Sequence, residues 1–151
     1  MDIDQKKFLQ ARFRKAVGSQ SELKQLKILL LGLGGDFIVA PQKPDPDLPA
    51  LLQFGFLMSG PITMKLMARN GCHQNVASLW KSPERRIIGV ATGYALSEDG
   101  LWRQHSWGTL RDGVLETTER RDKYFGILLQ GSGADRFCQT YLSNPVGMGS
   151  P

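Results

Sequence analysis

The stretch "RRIIGVATGYALSEDGLWRQHSWGTLRDGVLETTERR", residues 85–121, decides the fold. It holds two similar punctuations, SEDG at 97–100 and LRDG at 110–113, each flanked by β-branched and aromatic residues of strand type. Four-residue hairpin loops built on a type I turn commonly end on a residue at positive φ, the place taken here by Gly100 and Gly113. A three-strand antiparallel meander follows. With both loops at four residues, Leu96 pairs with Leu101 and Thr109 with Val114, and the register of all three strands is set. Val90, Thr92, Tyr94 and Leu96 then share one face with His105, Trp107, Glu116 and Thr118, while Ser106, Trp102 and the small residues of the first strand fall on the other. The first face has the larger apolar groups, so a helix is expected to pack there.

That helix is supplied just upstream by "NGCHQNVASLW", residues 70–80. Asn70-Gly71 is a turn dipeptide, and Val76, Leu79 and Trp80 recur at helical spacing with Cys72 one turn before Val76 on the same face. Cys72 therefore opens a helix and points inward, above His105 and Glu116.

Further out, Phe8, Leu9, Phe13 and Val17 predict an amphipathic helix over 4–17 ended by Gly18. Ser19 with Glu22 three residues on forms a capping box for a second helix running to Gly34-Gly35, so residues 1–35 read as a helical hairpin. "APQKPDPDLPA", residues 40–50, has four prolines and is a connection, with Asp47 capping a short helix to about Gln53. "KYFGILLQG" reads as a fourth strand, Ser132 as the cap of a last helix, and 144–151 as a loose tail. The fold class is α+β, in a single domain over 1–151 with its core in 54–143.

Composition excludes several classes. At 41% apolar and 22% charged residues, the chain is neither disordered nor membrane-like. Its strongest apolar run, Ile28 to Leu33, is too short to span a bilayer, so no membrane insertion is expected. The acidic start "MDIDQKK" is unlike a signal peptide, and two cysteines make no disulfide framework, which places the protein in the cytoplasm. Net charge is +5, carried mostly by residues 1–27; a solvated helix face explains this better than nucleic-acid binding.

One packing arrangement supplies three requirements of acyl-transfer chemistry. A helix N-terminus and a nearby imidazolium both lower a thiol pKa, and Cys72 has the first by position and the second if its helix lies over His105. Glu116, diagonal to His105, holds the imidazole in one tautomer. The N–H groups of the first turn, near Cys72 and His73, can hold an oxyanion, with Asn70 as an auxiliary donor, and Trp107, Tyr94 and Thr118 line a pocket.

A helix opening on cysteine, then "HSW", then "ETT", resembles the transglutaminase-like branch of the papain-like cysteine peptidase superfamily over about residues 70–118. The resemblance implies a Cys72 nucleophile, a His105 base and a Glu116 orienting acid, acting on a peptide or protein amide through a thioester without a cofactor. It departs in having glutamate where that family has aspartate. A metal site is not expected, because Cys72 and His73 point about 100° apart on a helix and no C-x-x-C pair exists. The competing reading is a non-catalytic interaction domain using the basic N-terminal helix. Oligomeric state is not legible.

Overall fold

β-branched and aromatic residues over 87–129 and apolar stripes at helical spacing elsewhere give a mixed sheet and five helices among the described residues, 1–142, of the computed structural model. The expected tail lies outside those residues. In chain order the elements are α1 (Ile3–Ser19), α2 (Leu23–Leu33), β1 (Phe37–Ile38), α3 (Leu48–Phe54), β2 (Phe56–Met58), β3 (Ile62–Met64), α4 (Cys72–Lys81), β4 (Gly89–Leu96), β5 (Leu101–Leu110), β6 (Gly113–Glu116), β7 (Lys123–Leu129) and α5 (Gly131–Leu142). The strand order is β2-β7-β4-β5-β6-β3, with β1 also paired to β5. The class is α+β, and the expected meander is present as β4-β5-β6. Residues 60–71, whose sequence reads as an extended stretch, supply β3; the parallel pairings of β3 with β6 and of β1 with β5 were not legible, because strands of two and three residues show no periodicity that would name a partner.

The chain divides into two units: 1–57 with 93–104 and 121–126, and 58–92 with 105–120 and 127 onward. In the first, Leu23, Leu26 and Leu30 of α2 are buried together with Leu9 and Phe13 of α1. The helical hairpin is there, but α1 runs through Gly18 to Ser19, and Glu22, not Ser19, precedes α2 without a side-chain cap. Trp102 is fully buried, and its indole N–H donates to Gly34 O at 2.8 Å, which ties the end of α2 to β5. The proline-rich connection is anchored by the Gln20 amide, which brackets the backbone of buried Asp45 with two 2.8 Å hydrogen bonds.

In the second unit, Val76, Ala77 and Trp80 of α4 and Ala134, Phe137 and Cys138 of α5 close one core with Ile87, Val90 and Leu115. The Trp80 indole N–H donates to Asp135 Oδ1 at 2.9 Å, locking the two helices together. Arg85 stacks on the Trp80 ring at 3.6 Å and donates to its carbonyl, closing the end of α4.

The register of β4 differs from the expected one. Ser97 N donates to Leu101 O and Gly100 N to Ser97 O, both at 3.0 Å, with Gly100 at φ 84°. The loop is therefore three residues, 98–100, and Ser97 pairs with Leu101 in place of Leu96. One residue of shift turns β4 over, and Thr92 now faces Ser106, whose hydroxyl donates to it at 2.9 Å. The β5–β6 register is as expected, Thr109 opposite Val114, although the turn spans only Arg111 and Asp112 and Gly113 is not at positive φ. What Gly113 provides is room: Pro61 lies against it, its carbonyl accepting from Val114 N at 3.0 Å. The body of α4 accordingly meets the sheet on the side of Leu115 and Ser106, not over His105 and Glu116, and the helix approaches His105 at its first residue.

Gly93 tests the sheet packing. A Cβ there would lie 2.6 Å from Gly126 Cα and closer still to Phe125 O, backbone atoms of β7 that cannot rotate away. Gly93→Ala is expected to lower stability by about 2–4 kcal/mol in urea unfolding. A loss below about 1 kcal/mol would contradict this packing.

Candidate active site

Asn70, at φ 60°, and Gly71 turn the chain into α4, so Cys72 is the first helical residue. Asn75 holds that turn from inside the helix. Its backbone N–H donates to Gly71 O at 2.7 Å, and its side-chain amide donates to Ala68 O at 2.8 Å and Thr117 Oγ1 at 3.2 Å. No side chain caps α4, so its first-turn N–H groups, those of Cys72 and His73 among them, are not taken up by a side-chain cap. Asn70 itself is exposed and serves the turn. Cys72 as a residue is half-buried.

His105 and Glu116 project from neighbouring strands and meet at 2.8 Å, Nε2 to Oε1, with side chains only 2% and 0% exposed. Glu116 Oε2 accepts from both the N–H and the hydroxyl of Thr118, at 2.9 and 3.0 Å. The E-T-T stretch thus carries its own orienting group, two residues on. With Nε2–H donated to the carboxylate, the remaining ring nitrogen, Nδ1, is the one that meets the Cys72 thiol, to which His105 is hydrogen-bonded. Trp107, fully buried, stacks on His105 with centroids 6.0 Å apart and fixes the ring plane.

The second histidine of the chain also comes to this cysteine. His73 is hydrogen-bonded to the Cys72 thiol, and its Nδ1 lies 2.6 Å from Ser106 Oγ. Ser106 Oγ in turn lies 2.9 Å from Thr92 Oγ1, so His73, Ser106 and Thr92 form one hydrogen-bonded row. Tyr141 stacks on the His73 ring at 4.7 Å.

These contacts set the electrostatics. Burial alone would raise the Cys72 pKa, but hydrogen bonds to His105 and His73, together with their charge, outweigh it and bring the thiol from 9.0 down to about 5. Burial likewise opposes charge on His105, and it is overcome by the thiolate and by Glu116, so the imidazole pKa is raised. Both shifts favour a thiolate–imidazolium pair. Cys138 has the opposite environment: burial pushes its thiol up, and its sulfur is bonded to Ala77 O in the core.

Cys72, His73, His105, Glu116, Trp107 and Thr118 are therefore brought together. Tyr94 belongs to the other unit, where its hydroxyl is directed at Asp45 Oδ2 at 3.4 Å; burial and that carboxylate raise its pKa. Ser106, Thr92 and Tyr141 were missed. The first two were hidden by the β4 register, since a one-residue error separates Thr92 from Ser106. Among the described residues no three His, Cys, Asp or Glu side chains are arranged to hold a metal ion, and none of the described helices is long and apolar enough to cross a membrane. His105 Nε2 and His73 Nδ1, the obvious metal-ligand nitrogens, are already committed to Glu116 and Ser106.

No protein-family model matches this chain, and neither a curated protein nor a solved structure matches it.

The thiolate has a direct readout in iodoacetamide alkylation followed by peptide mass. Cys72 is expected to react at a nearly constant rate from pH 8 down to about 6 and to lose half of it near pH 5. His105→Ala should move that midpoint up by more than about one unit, because it removes the leading hydrogen bond. A midpoint near the ordinary value of about 8.5 in both proteins would refute the ion pair.

Proposed function

We propose that the protein is a thiol-dependent acyl-transfer enzyme acting on a peptide or protein amide. The observation that carries this reading is the unbroken hydrogen-bonded chain from the thiol of half-buried Cys72 through a buried imidazole to a carboxylate with no exposed surface. A buried carboxylate–imidazole pair is costly to maintain unless it is well compensated, and such perturbed groups collect at functional sites. The resemblance of the C / H-x-W / E-x-T pattern to transglutaminase-like enzymes points the same way.

In this mechanism the Cys72 sulfur attacks the amide carbonyl while the first-turn N–H groups of α4 take up the developing oxyanion. His105, having held the thiol proton, gives it to the leaving nitrogen as the C–N bond breaks, and a thioester remains. Glu116 keeps Nε2–H directed at itself, so the proton on offer is the one at Nδ1. Water resolving the thioester gives hydrolysis or deamidation, and an amine gives transamidation.

A second reading, an interaction module, draws on one feature of the first unit. A cavity of about 370 Å³ between α1 and the proline-rich connection is lined by Arg12, Lys15 and Lys43 and would suit an acidic ligand. Cys72→Ala would leave such binding intact.

The two readings separate in turnover assays on a peptide-amide library. Cys72→Ala should abolish turnover, and Glu116→Gln should lower kcat on the order of 10²–10⁴-fold, both with unchanged circular dichroism. Turnover that survives Cys72→Ala would end the acyl-transfer proposal.

A further inference from the structure

Most of the net charge of +5 lies in residues 1–27, and chemistry at Cys72 uses none of it. Part of that charge is gathered by the fold into one concave place. The connection that follows β1 arches along α1 and is pinned at both ends. Arg12 Nε donates to Ala40 O at 2.7 Å, and the Gln20 side-chain amide holds the backbone of Asp45 through two 2.8 Å hydrogen bonds. Residues eight apart on a helix stand about 12 Å apart along its axis, so the two anchors are separated by about two turns of α1. Pro41 and Pro44 lie in the span between them. A proline has a fixed φ and no N–H to donate, so this span resists collapse onto the helix.

Between the span and the helix is a cavity of about 370 Å³, lined by Arg12, Lys15 and Lys43 and by no carboxylate. The acid next in the chain, Asp45, is buried, with Oδ1 accepting from Asp47 N at 2.9 Å and Oδ2 facing the Tyr94 hydroxyl at 3.4 Å. Its charge is satisfied elsewhere. Because Nε of Arg12 is held by Ala40 O, the plane of the guanidinium is fixed and its two terminal nitrogens are left for a ligand. A second cavity along the same span, of about 450 Å³, shares Arg12 and Lys43 and adds Arg103 and Gln104 of β5.

We infer that this arch is a binding site for a small phosphorylated molecule, its phosphate held between Arg12, Lys15 and Lys43. A phosphate ester brings about −1.5 to −2 charges and three acceptor oxygens to one point, which matches three converging cations better than a carboxylate does. The guanidinium fork meets two of those oxygens, and the lysines act as point charges. Both cavities fall within the range of about 300–1,000 Å³ typical of small-molecule sites, and the second has room for the rest of such a ligand. Concavity favours a small ligand over a nucleic-acid backbone, which calls for an open basic stripe. The inference is independent of the acyl-transfer reading.

Inorganic phosphate, titrated near pH 8 into the nitrogen-15-labelled intact chain and followed by amide NMR shifts, tests it. Saturable shifts confined to residues 12–20 and 40–45 are expected, with a Kd on the order of 1 mM or tighter. The paired substitution Lys15→Gln with Lys43→Gln, both exposed side chains, should raise that Kd by about tenfold or more, while Lys6→Gln with Lys7→Gln, an equal loss of charge on the same helix outside the cavity, should change it by less than about twofold. Succinate, a dianion whose charges are separated, should bind at least about tenfold more weakly than phosphate. Shifts that do not saturate, an equal loss in both paired variants, or succinate binding as well as phosphate would each overturn the inference. A single-stranded oligonucleotide that shifts the same amides at lower concentration than phosphate would also overturn it, and would assign the surface to nucleic acid.

Discussion

A carboxylate with no exposed surface is the constraint on which this site depends. Glu116 is 0% exposed, and a buried charge persists only where its oxygens are satisfied and an opposite charge is at hand. His105 meets one oxygen and Thr118 meets the other twice, so the carboxylate has no freedom to turn. That rigidity passes outward. Glu116 selects the His105 tautomer, and the tautomer directs Nδ1 to the sulfur. The two threonines of E-T-T divide the work by strand alternation: Thr118 faces the carboxylate, while Thr117 accepts from Asn75 and ties the strand to the helix that carries the nucleophile.

The two cysteines show how far environment, more than residue type, sets chemistry. Cys138 sits in the α4–α5 core with its sulfur on a helix carbonyl, and burial there disfavours its ionised form. Cys72, also shielded, is brought to the other extreme by two imidazoles. The chain contains only two histidines, and both converge on this one thiol. His105 is backed by a carboxylate, which stabilises a charged ring; His73 is backed by a hydroxyl, which orients a ring without adding charge.

Much of this was legible before any coordinates. Turn residues at Gly100 and Gly113 announced the meander, and the β5–β6 register followed from them, which is why Glu116 could be set beside His105 from sequence. The failure lay in one loop. Asp99-Gly100 supports either a four-residue loop or a three-residue loop with glycine left-handed, and the second occurs. That single residue turned β4 over, hid the Thr92–Ser106 contact, and put the body of α4 on the opposite face from the one expected. Local propensity cannot decide between the two loops; in the structure Gly100 O accepts from Asp36 N at 2.6 Å, a contact distant in sequence. The two-residue strand β1 was invisible for a related reason, since its pairing partner, more than its own residues, defines it, whereas β3 lies in the 60–71 stretch that reads as extended.

The account stands or falls on a charged His105 at neutral pH. Nitrogen-15 NMR of histidine-labelled protein would show it directly, with only two imidazoles to assign. At pH 7, both His105 ring nitrogens should carry protons in the intact chain, and Cys72→Ala should convert the ring to its neutral form with the proton on Nε2. A neutral His105 in the intact chain, unchanged by loss of the thiol, would mean that no thiolate–imidazolium pair exists and that the Glu116–His105 contact is structural.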